Sequence, residues 1–409
     1  MKILGCRSCG SSELSMILNL GETPLANSLL REDELRNQQQ GYPLELVFCE
    51  NCALVQITET VDPEILFRNY VYFSSFSDTV VKNAQEIVNR TILRSGLDQE
   101  SLVVEIASND GYLLQFYKNA GIPVLGIEPA QNIAVHARAN GIPTVCEFFN
   151  QDVANQLKEN GQQADVFHAN NVLAHVADLN GVVAGMRTLL KPDGIGIIEF
   201  PYVKDMIDGV EFDTIYHEHL CYYSLFSVKA LFNRHGMNIV DVERLPIHGG
   251  SLRIFVGLDN GQHEISHNVK RLQKEEADWG VDQLKFYAQF GEKVTQLQTE
   301  LKSYLIELKT SGKKLAAYGA SAKGSTLLNT FGIGSETLDF VVDRSTVKQG
   351  LFTPGTKIPI MDPRVLLEKK PDYVLLLTWN FSEEILSQQI QYRDLGGKFI
   401  IPIPVLHTV

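Results

Sequence analysis

The chain has 409 residues, 44% hydrophobic and 21% charged, with a formal net charge of −13. This composition suits a folded protein of two or three domains, and the acidic balance argues against nucleic acid or an anionic membrane as a partner. No apolar run reaches the roughly 18 residues a bilayer span needs, and MKILGCRSCG lacks a signal-peptide core, so a cytoplasmic protein with reduced cysteines is expected.

The first element is a pair of knuckles, Cys6-Arg-Ser-Cys9 and Cys49-Glu-Asn-Cys52. Each CxxC brings two thiolates to one face of a turn, and two such turns supply four sulfurs to a tetrahedral zinc. Gly10 and Ala53 follow the second cysteine of each. Four sulfurs leave no open metal position, so the zinc is expected to be structural. The head has few apolar runs and is expected to draw much of its stability from the metal. Cys146 reads as a core residue.

From about residue 100, short apolar strands alternate with helical stretches, the pattern of a doubly wound α/β sheet. LVVEIA (102–107) reads as a buried strand, SNDG (108–111) as a turn and YLLQFYKNAG (112–121) as a helix. PVLGIEPA (123–130) is a second strand, and DVFHANNVLAHV (165–176) a third that runs into a loop. LLKPDGIGIIEFP (189–201) reads as helix end, turn and strand. The first loop, Glu105-Ile-Ala-Ser-Asn-Asp-Gly111, resembles the E/DxGxGxG loop of class I S-adenosylmethionine (SAM) methyltransferases. Ala107 and Asn109 stand at two of its glycine positions and Gly111 at the third. Glu128 ends the second strand where an acid would hold ribose hydroxyls, and Asn170 ends the third.

FDTIYHEHLCYYS (212–224) sets Tyr216, His217, Glu218 and His219 among aromatics. Removing a proton beside a ketone calls for a base titrating near neutrality and a donor at the developing oxyanion. His219 suits the first role, Glu218 suits orienting an imidazole or binding a substrate amine, and Tyr216 suits donating or relaying a proton. Which of Tyr216 and His219 takes the proton stays open here. An extended segment would place His217 and His219 opposite Tyr216 and Glu218, whereas a loop would let Tyr216, Glu218 and His219 converge. His175 follows the third strand, where α/β active sites form. Tyr72 lies in RNYVYFSSFS between head and sheet, and His248-Gly249-Gly250 between two strands at the sheet's antiparallel end.

Residues 282–310 read as one long helix with an apolar stripe from Phe290 to Leu308. KLAAYGASAKGSTLLN (314–329) is then strand, Gly-rich turn and helix, with Asp343 lying 24 residues after Gly319. This second half-Rossmann pattern makes Ser321 and Lys323, near a helix N-terminus, candidates for phosphate contact.

Over its full length the chain resembles the sugar C-methyltransferase family, whose members include dTDP-3-amino-4-keto-sugar C-3 methyltransferases. The resemblance rests on the CxxC…CxxC head, Asn171 with His175, Tyr216-x-Glu218-His219 and PIHGGSLR (246–253) in that order. It implies a zinc head (1–70), a SAM-dependent methyltransferase domain with a long linking helix (71–310) and a C-terminal Rossmann-like domain (311–409). It also implies a nucleotide-sugar substrate whose enolate takes the SAM methyl, with catalytic groups at Tyr216, Glu218, His219, His175 and Tyr72 and substrate contacts at His248, Gly249, Ser321 and Lys323. An O- or N-methyltransferase of another small metabolite, or a non-catalytic zinc-stabilised binding protein, are the alternatives. Monomer and homo-oligomer are equally open.

Overall fold

The computed structural model describes residues 1–409 except 69, 71, 72 and 248. Tyr72 and His248 therefore lie outside the described residues. Three sheets organise the rest.

The head carries a four-stranded antiparallel sheet in the order Leu14–Thr23, Tyr42–Cys49, Val55–Ile57 and Cys221–Tyr222. Its last strand comes from the middle of the chain. Gln56 pairs with Cys221 and Val55 with Tyr222. Leu44, Leu46, Phe48, Val55 and Ile57 are buried. The head thus holds an apolar core as well as a metal site, more than its sparse apolar runs suggested, because the rest of the chain covers both faces of strands Tyr42–Cys49 and Val55–Ile57, whose residues 46–49 and 55–57 are all buried.

The central sheet has seven strands, in the order Met237–Leu245, Ser251–Leu258, Leu190–Pro201, Ala164–Asn170, Val103–Ile106, Val124–Ile127 and Thr144–Val145. The five strands from Leu190–Pro201 to Thr144–Val145 are parallel, and the first two add an antiparallel end. This is the class I SAM methyltransferase arrangement within an α/β chain. Parallel strands covered on both faces read as continuous apolar runs, which is why VVEI and VLGI were visible as strands. The strand after helix Leu179–Leu189 begins directly at Leu190, and KPDG (191–194) bulges out of the ladder between the Ala164–Leu190 and Val166–Ile195 pairs. The loop after the third strand contains a single 3-10 turn, Leu173–His175. Cys146 is only half-buried, because it lies just past the short edge strand Thr144–Val145.

The expected long helix is broken. Leu284–Tyr287 and Phe290–Thr310 are separate, and Ala288–Gln289 interrupt them. The apolar stripe from Phe290 to Leu308 is buried as its spacing implied.

The C-terminal sheet runs Ile360–Met361, Val341–Val342, Leu315–Tyr318, Tyr373–Leu376, Lys398–Ile401 and His407–Thr408, parallel except for its last strand. Helix Ala322–Phe331 follows the Gly-rich turn and stacks Phe331 on Phe212 at 4.6 Å. The same domain clasps the head, where Leu30 and Phe352 exchange backbone hydrogen bonds of 3.0 and 2.8 Å. Head, central domain and C-terminal domain therefore close around the segment 212–222.

Candidate active site

The four cysteine sulfurs of the head lie within 4.8 Å of one another. Cys6–Cys52 and Cys9–Cys49 are each separated by 3.5 Å, close to the roughly 3.8 Å edge of a tetrahedron with Zn–S bonds of about 2.3 Å. Gly10 N–H donates to Cys6 O and Ala53 N–H to Cys49 O, at 2.9 and 2.8 Å. Gly10 and Ala53 both have positive φ. The two knuckles thus share one turn geometry, which the residues after Cys9 and Cys52 had suggested. Between the cysteines of the first knuckle, Arg7 reaches Gln56, Ile57 O and Thr60 at 2.6–3.2 Å and so fixes the strand that pairs with Cys221–Tyr222.

A cavity of about 1160 Å³ opens between the three domains. At one end is the loop after strand Val103–Ile106. Ala107 (φ 52°), Asn109 (φ 50°) and Gly111 (φ 82°) are all left-handed. The backbone therefore keeps the shape that glycine serves best, with alanine and asparagine carrying the strain at two positions. At Gly111 a Cβ would meet Ile142 at 2.7 Å. Glu128 accepts from Asn109 N–H at 2.9 Å and Ala130 N–H at 2.8 Å. Burial pushes its carboxyl up to about 7. Ala107, Asn109, Glu128 and Asn170 line the cavity, while Glu105 and Gly111 stand behind it. The Glu105 carboxyl is fully buried and raised well above its ordinary range, first by burial and then by Asp110 and Glu128.

Asn170 Oδ1 and Asp110 Oδ1 are buried without a partner. Of the two, Asn170 lines the cavity, and its orphaned acceptor beside a left-handed loop and a ribose-type acid fits the ammonium and hydroxyl donors of SAM. Asn109 Oδ1 also accepts from Ser74 N–H at 2.9 Å and Asp110 from Ser75 N–H at 3.3 Å, so the segment after the head lies against this loop.

Further into the cavity, Tyr216–His219 is a turn closed by His219 N–H to Tyr216 O at 2.8 Å. The turn brings Tyr216 and His219 together, where an extended strand would have separated them. Their ring centroids lie 4.1 Å apart with the planes tilted by 31°, and Tyr216 OH lies 2.7 Å from His219 Nε2. His219 Nδ1 lies 2.9 Å from Thr214 O. A carbonyl only accepts, so Nδ1 carries the proton and Nε2 offers its lone pair to the tyrosine. Burial raises the Tyr216 phenol well above its ordinary value, which keeps the hydroxyl protonated and donating.

Glu218 is buried and accepts from Asn27 Nδ2 at 2.7 Å and Tyr70 OH at 3.4 Å. Desolvation pushes it up to about 7 against these bonds and the charge of Lys348. His217 turns away to the head, where Nε2 donates to Pro43 O at 3.1 Å. His175 sits edge-on to His219 at 4.8 Å, with Nδ1 buried and unpartnered. Burial depresses it to about 4, so it is a neutral imidazole at working pH.

From the C-terminal domain, Ser321 and Lys323 also line the cavity. Ser321 caps its helix by accepting from Gly324 N–H at 3.0 Å. Lys323 lies over the Trp379 ring at 4.7 Å, and its charge opposes the raised carboxyls of Glu211 and Asp213. Gly249 is not among the described residues of the cavity wall. A Cβ there would sit 2.3 Å from the Glu211 carboxylate, so its small size serves packing against that side chain. Sequence reasoning missed Asn27, whose partner Glu218 is 191 residues away. It also missed Lys348, whose only signal was a lysine in the turn after Asp343.

Three family models match the chain, described as a putative zinc binding domain (residues 6–67), a methyltransferase domain (80–242) and a C-methyltransferase C-terminal domain (246–404). C-methyltransferase NovU of Streptomyces niveus is 34% identical over 399 residues, 98% of this chain and 95% of that protein. A ubiquinone biosynthesis O-methyltransferase of Actinobacillus pleuropneumoniae serotype 5b is 31% identical over 102 residues, covering 23% of this chain and 42% of that protein. Among solved structures, an S-adenosylmethionine-dependent methyltransferase from Clostridium acetobutylicum ATCC 824 aligns with 44% of this chain and 92% of its own, at 14% identity and a TM-score of 0.36. The extent of the match to NovU and the order of the three domain models establish that the chain belongs to the SAM-dependent C-methyltransferases with a zinc-binding N-terminal domain.

Proposed function

We propose that this C-methyltransferase acts on the carbon beside a ketone in a nucleotide-linked deoxysugar. The observation that carries the reading is the Tyr216–His219 pair, whose hydrogen-bond polarity suits proton removal. Thr214 O fixes the imidazole tautomer, so His219 Nε2 takes the Tyr216 proton as the phenol oxygen takes one from the substrate carbon. Tyr216 thus relays and His219 stores the proton, with neutral His175 walling the site. When bound, SAM supplies an electrophilic methyl; Glu128, Asn109 and Asn170 would hold it.

The cavity volume supports a second, large ligand. Pockets for single small molecules run to roughly 1,000 Å³ at most, and this one also reaches the helix start at Ser321 and the rim at Arg344. The half-Rossmann loop at Gly319–Ser321 suits the nucleotide end, and the Tyr216 turn suits the sugar. The zinc acts in structure alone, because its four thiolates fill a tetrahedron.

The test supplies SAM with a ¹³C-labelled methyl and a dTDP-4-keto-6-deoxysugar, and reads the product by NMR. A labelled methyl coupled to a ring carbon is expected. A methyl shifted to the O- or N-methyl range, or no product from any nucleotide keto sugar, contradicts the reading.

A further inference from the structure

Enolate formation leaves charge on the ketone oxygen, and neither Tyr216 nor His219, both engaged in moving the proton, answers it. We propose that Lys348 is the catalytic cation that receives this oxygen; the inference rests on the ketone reading above. The residue is 8% exposed and lines the same cavity as Tyr216 and His219. Its turn, closed by Lys348 N–H to Ser345 O at 3.0 Å, folds over the Gly319–Ser321 loop. There Asp343 accepts from Ala320 N–H at 2.8 Å and Lys348 Nζ donates to Ala320 O at 2.9 Å. The ammonium has three donors. Ala320 O is its acceptor among the described residues, which leaves two directions for an incoming anionic oxygen. Burying such a charge is costly unless an anion meets it. Lys348 lies near enough to the Tyr216–His219 turn for its charge to favour ionised Glu218.

Two anionic oxygens could meet this ammonium, an enolate or a diphosphate. Arg344 stands closer to solvent, with a side chain 50% exposed and 3.4 Å from Glu384, and suits the diphosphate at the rim. Lys348, enclosed and on the same cavity wall as Tyr216 and His219, suits the enolate. In the step, the α C–H bond breaks and its proton passes to Tyr216 while the Tyr216 proton passes to His219. The C–H electron pair becomes the C=C bond, and the carbonyl π pair moves to the oxygen facing Lys348. That pair returns as the new C–C bond forms and the S–CH₃ bond of SAM breaks, releasing S-adenosylhomocysteine.

Solvent deuterium exchange into a dTDP-4-keto-6-deoxysugar, with S-adenosylhomocysteine bound, isolates the proton step. Lys348→Gln keeps a donor for Ala320 O and removes the charge, so a merely structural role is spared. With unchanged affinity for S-adenosylhomocysteine and for the sugar, exchange should fall roughly 10²–10³-fold, the range for losing an oxyanion donor. Exchange at the wild-type rate in K348Q overturns the proposal. So does weaker sugar binding with normal exchange at saturation, which assigns the lysine to the diphosphate. If K348Q does not bind S-adenosylhomocysteine, K348M is read by the same criteria. Absence of exchange in the wild type would overturn the ketone reading itself, a distinct failure.

Discussion

The Tyr216–His219 contact shows what single residues can and cannot reveal. The run was legible as a candidate site, because titratable groups set between aromatics in one short stretch suggest proton transfer. Their convergence was not, since it depends on one backbone turn and on Thr214 O fixing a tautomer. Asn27 and Lys348 were invisible as partners of Glu218, because their approach to it is made by domains folding together. With the imidazole's base nitrogen already placed, His219→Asn should lower kcat by about 10²–10⁴-fold, the usual worth of a positioned acid–base group. SAM affinity, measured by calorimetry, should stay close to wild type. Equal loss of SAM binding would remove the proton-storing role of His219.

At the scale of elements, the short strand Cys221–Tyr222 joins the metal head to the Tyr216–His219 turn. Ile57 N–H donates to Leu220 O at 3.0 Å, one residue past His219, and Arg7 of the first knuckle holds Ile57 O at 2.6 Å. Parallel strands and the CxxC spacing were readable locally because apolar runs and paired thiolates are local signals. A two-residue strand added to a sheet more than 150 residues away in sequence carries no such signal. The break at Ala288–Gln289 was hidden for the converse reason, since the apolar spacing on its C-terminal side is continuous. Removing zinc with a chelator should melt the head in a separate, lower transition and abolish turnover with it. An unchanged melting profile in metal-free protein would contradict the structural zinc, and full activity in metal-free protein would contradict the coupling through this strand.

The whole molecule folds around buried carboxyls. Glu128 and Glu218 are pushed from 4.5 up to about 7 and Glu211 up to about 8, each first by burial. Between the ordinary and raised values the folded chain holds protons that the unfolded chain has lost. Stability therefore falls as pH rises through this window. Below about pH 6.5 the buried His168 and His175, depressed in the fold from 6.5, add the opposite slope, so the ligand-free protein should melt at progressively lower temperature from about pH 6.5 to about pH 8, and Glu218→Gln should make that decline shallower. A melting temperature that rises across this range would contradict the burial assigned to these groups. The α/β pattern and the four-cysteine head were visible in outline from the sequence. That the domains close on one cavity was not, because contacts such as Leu30–Phe352 and Asn27–Glu218 follow from tertiary docking.

The central claim is that the Tyr216–His219 turn removes a proton from a carbon beside a ketone. It is tested most directly by following solvent deuterium into a dTDP-4-keto-6-deoxysugar with S-adenosylhomocysteine bound, in wild type and in Tyr216→Phe and His219→Asn. Exchange at the α carbon in the wild type, with loss of at least about 10²-fold in both variants, is the expected result. Wild-type exchange that persists in both variants, or no exchange while the sugar is bound, would contradict the account.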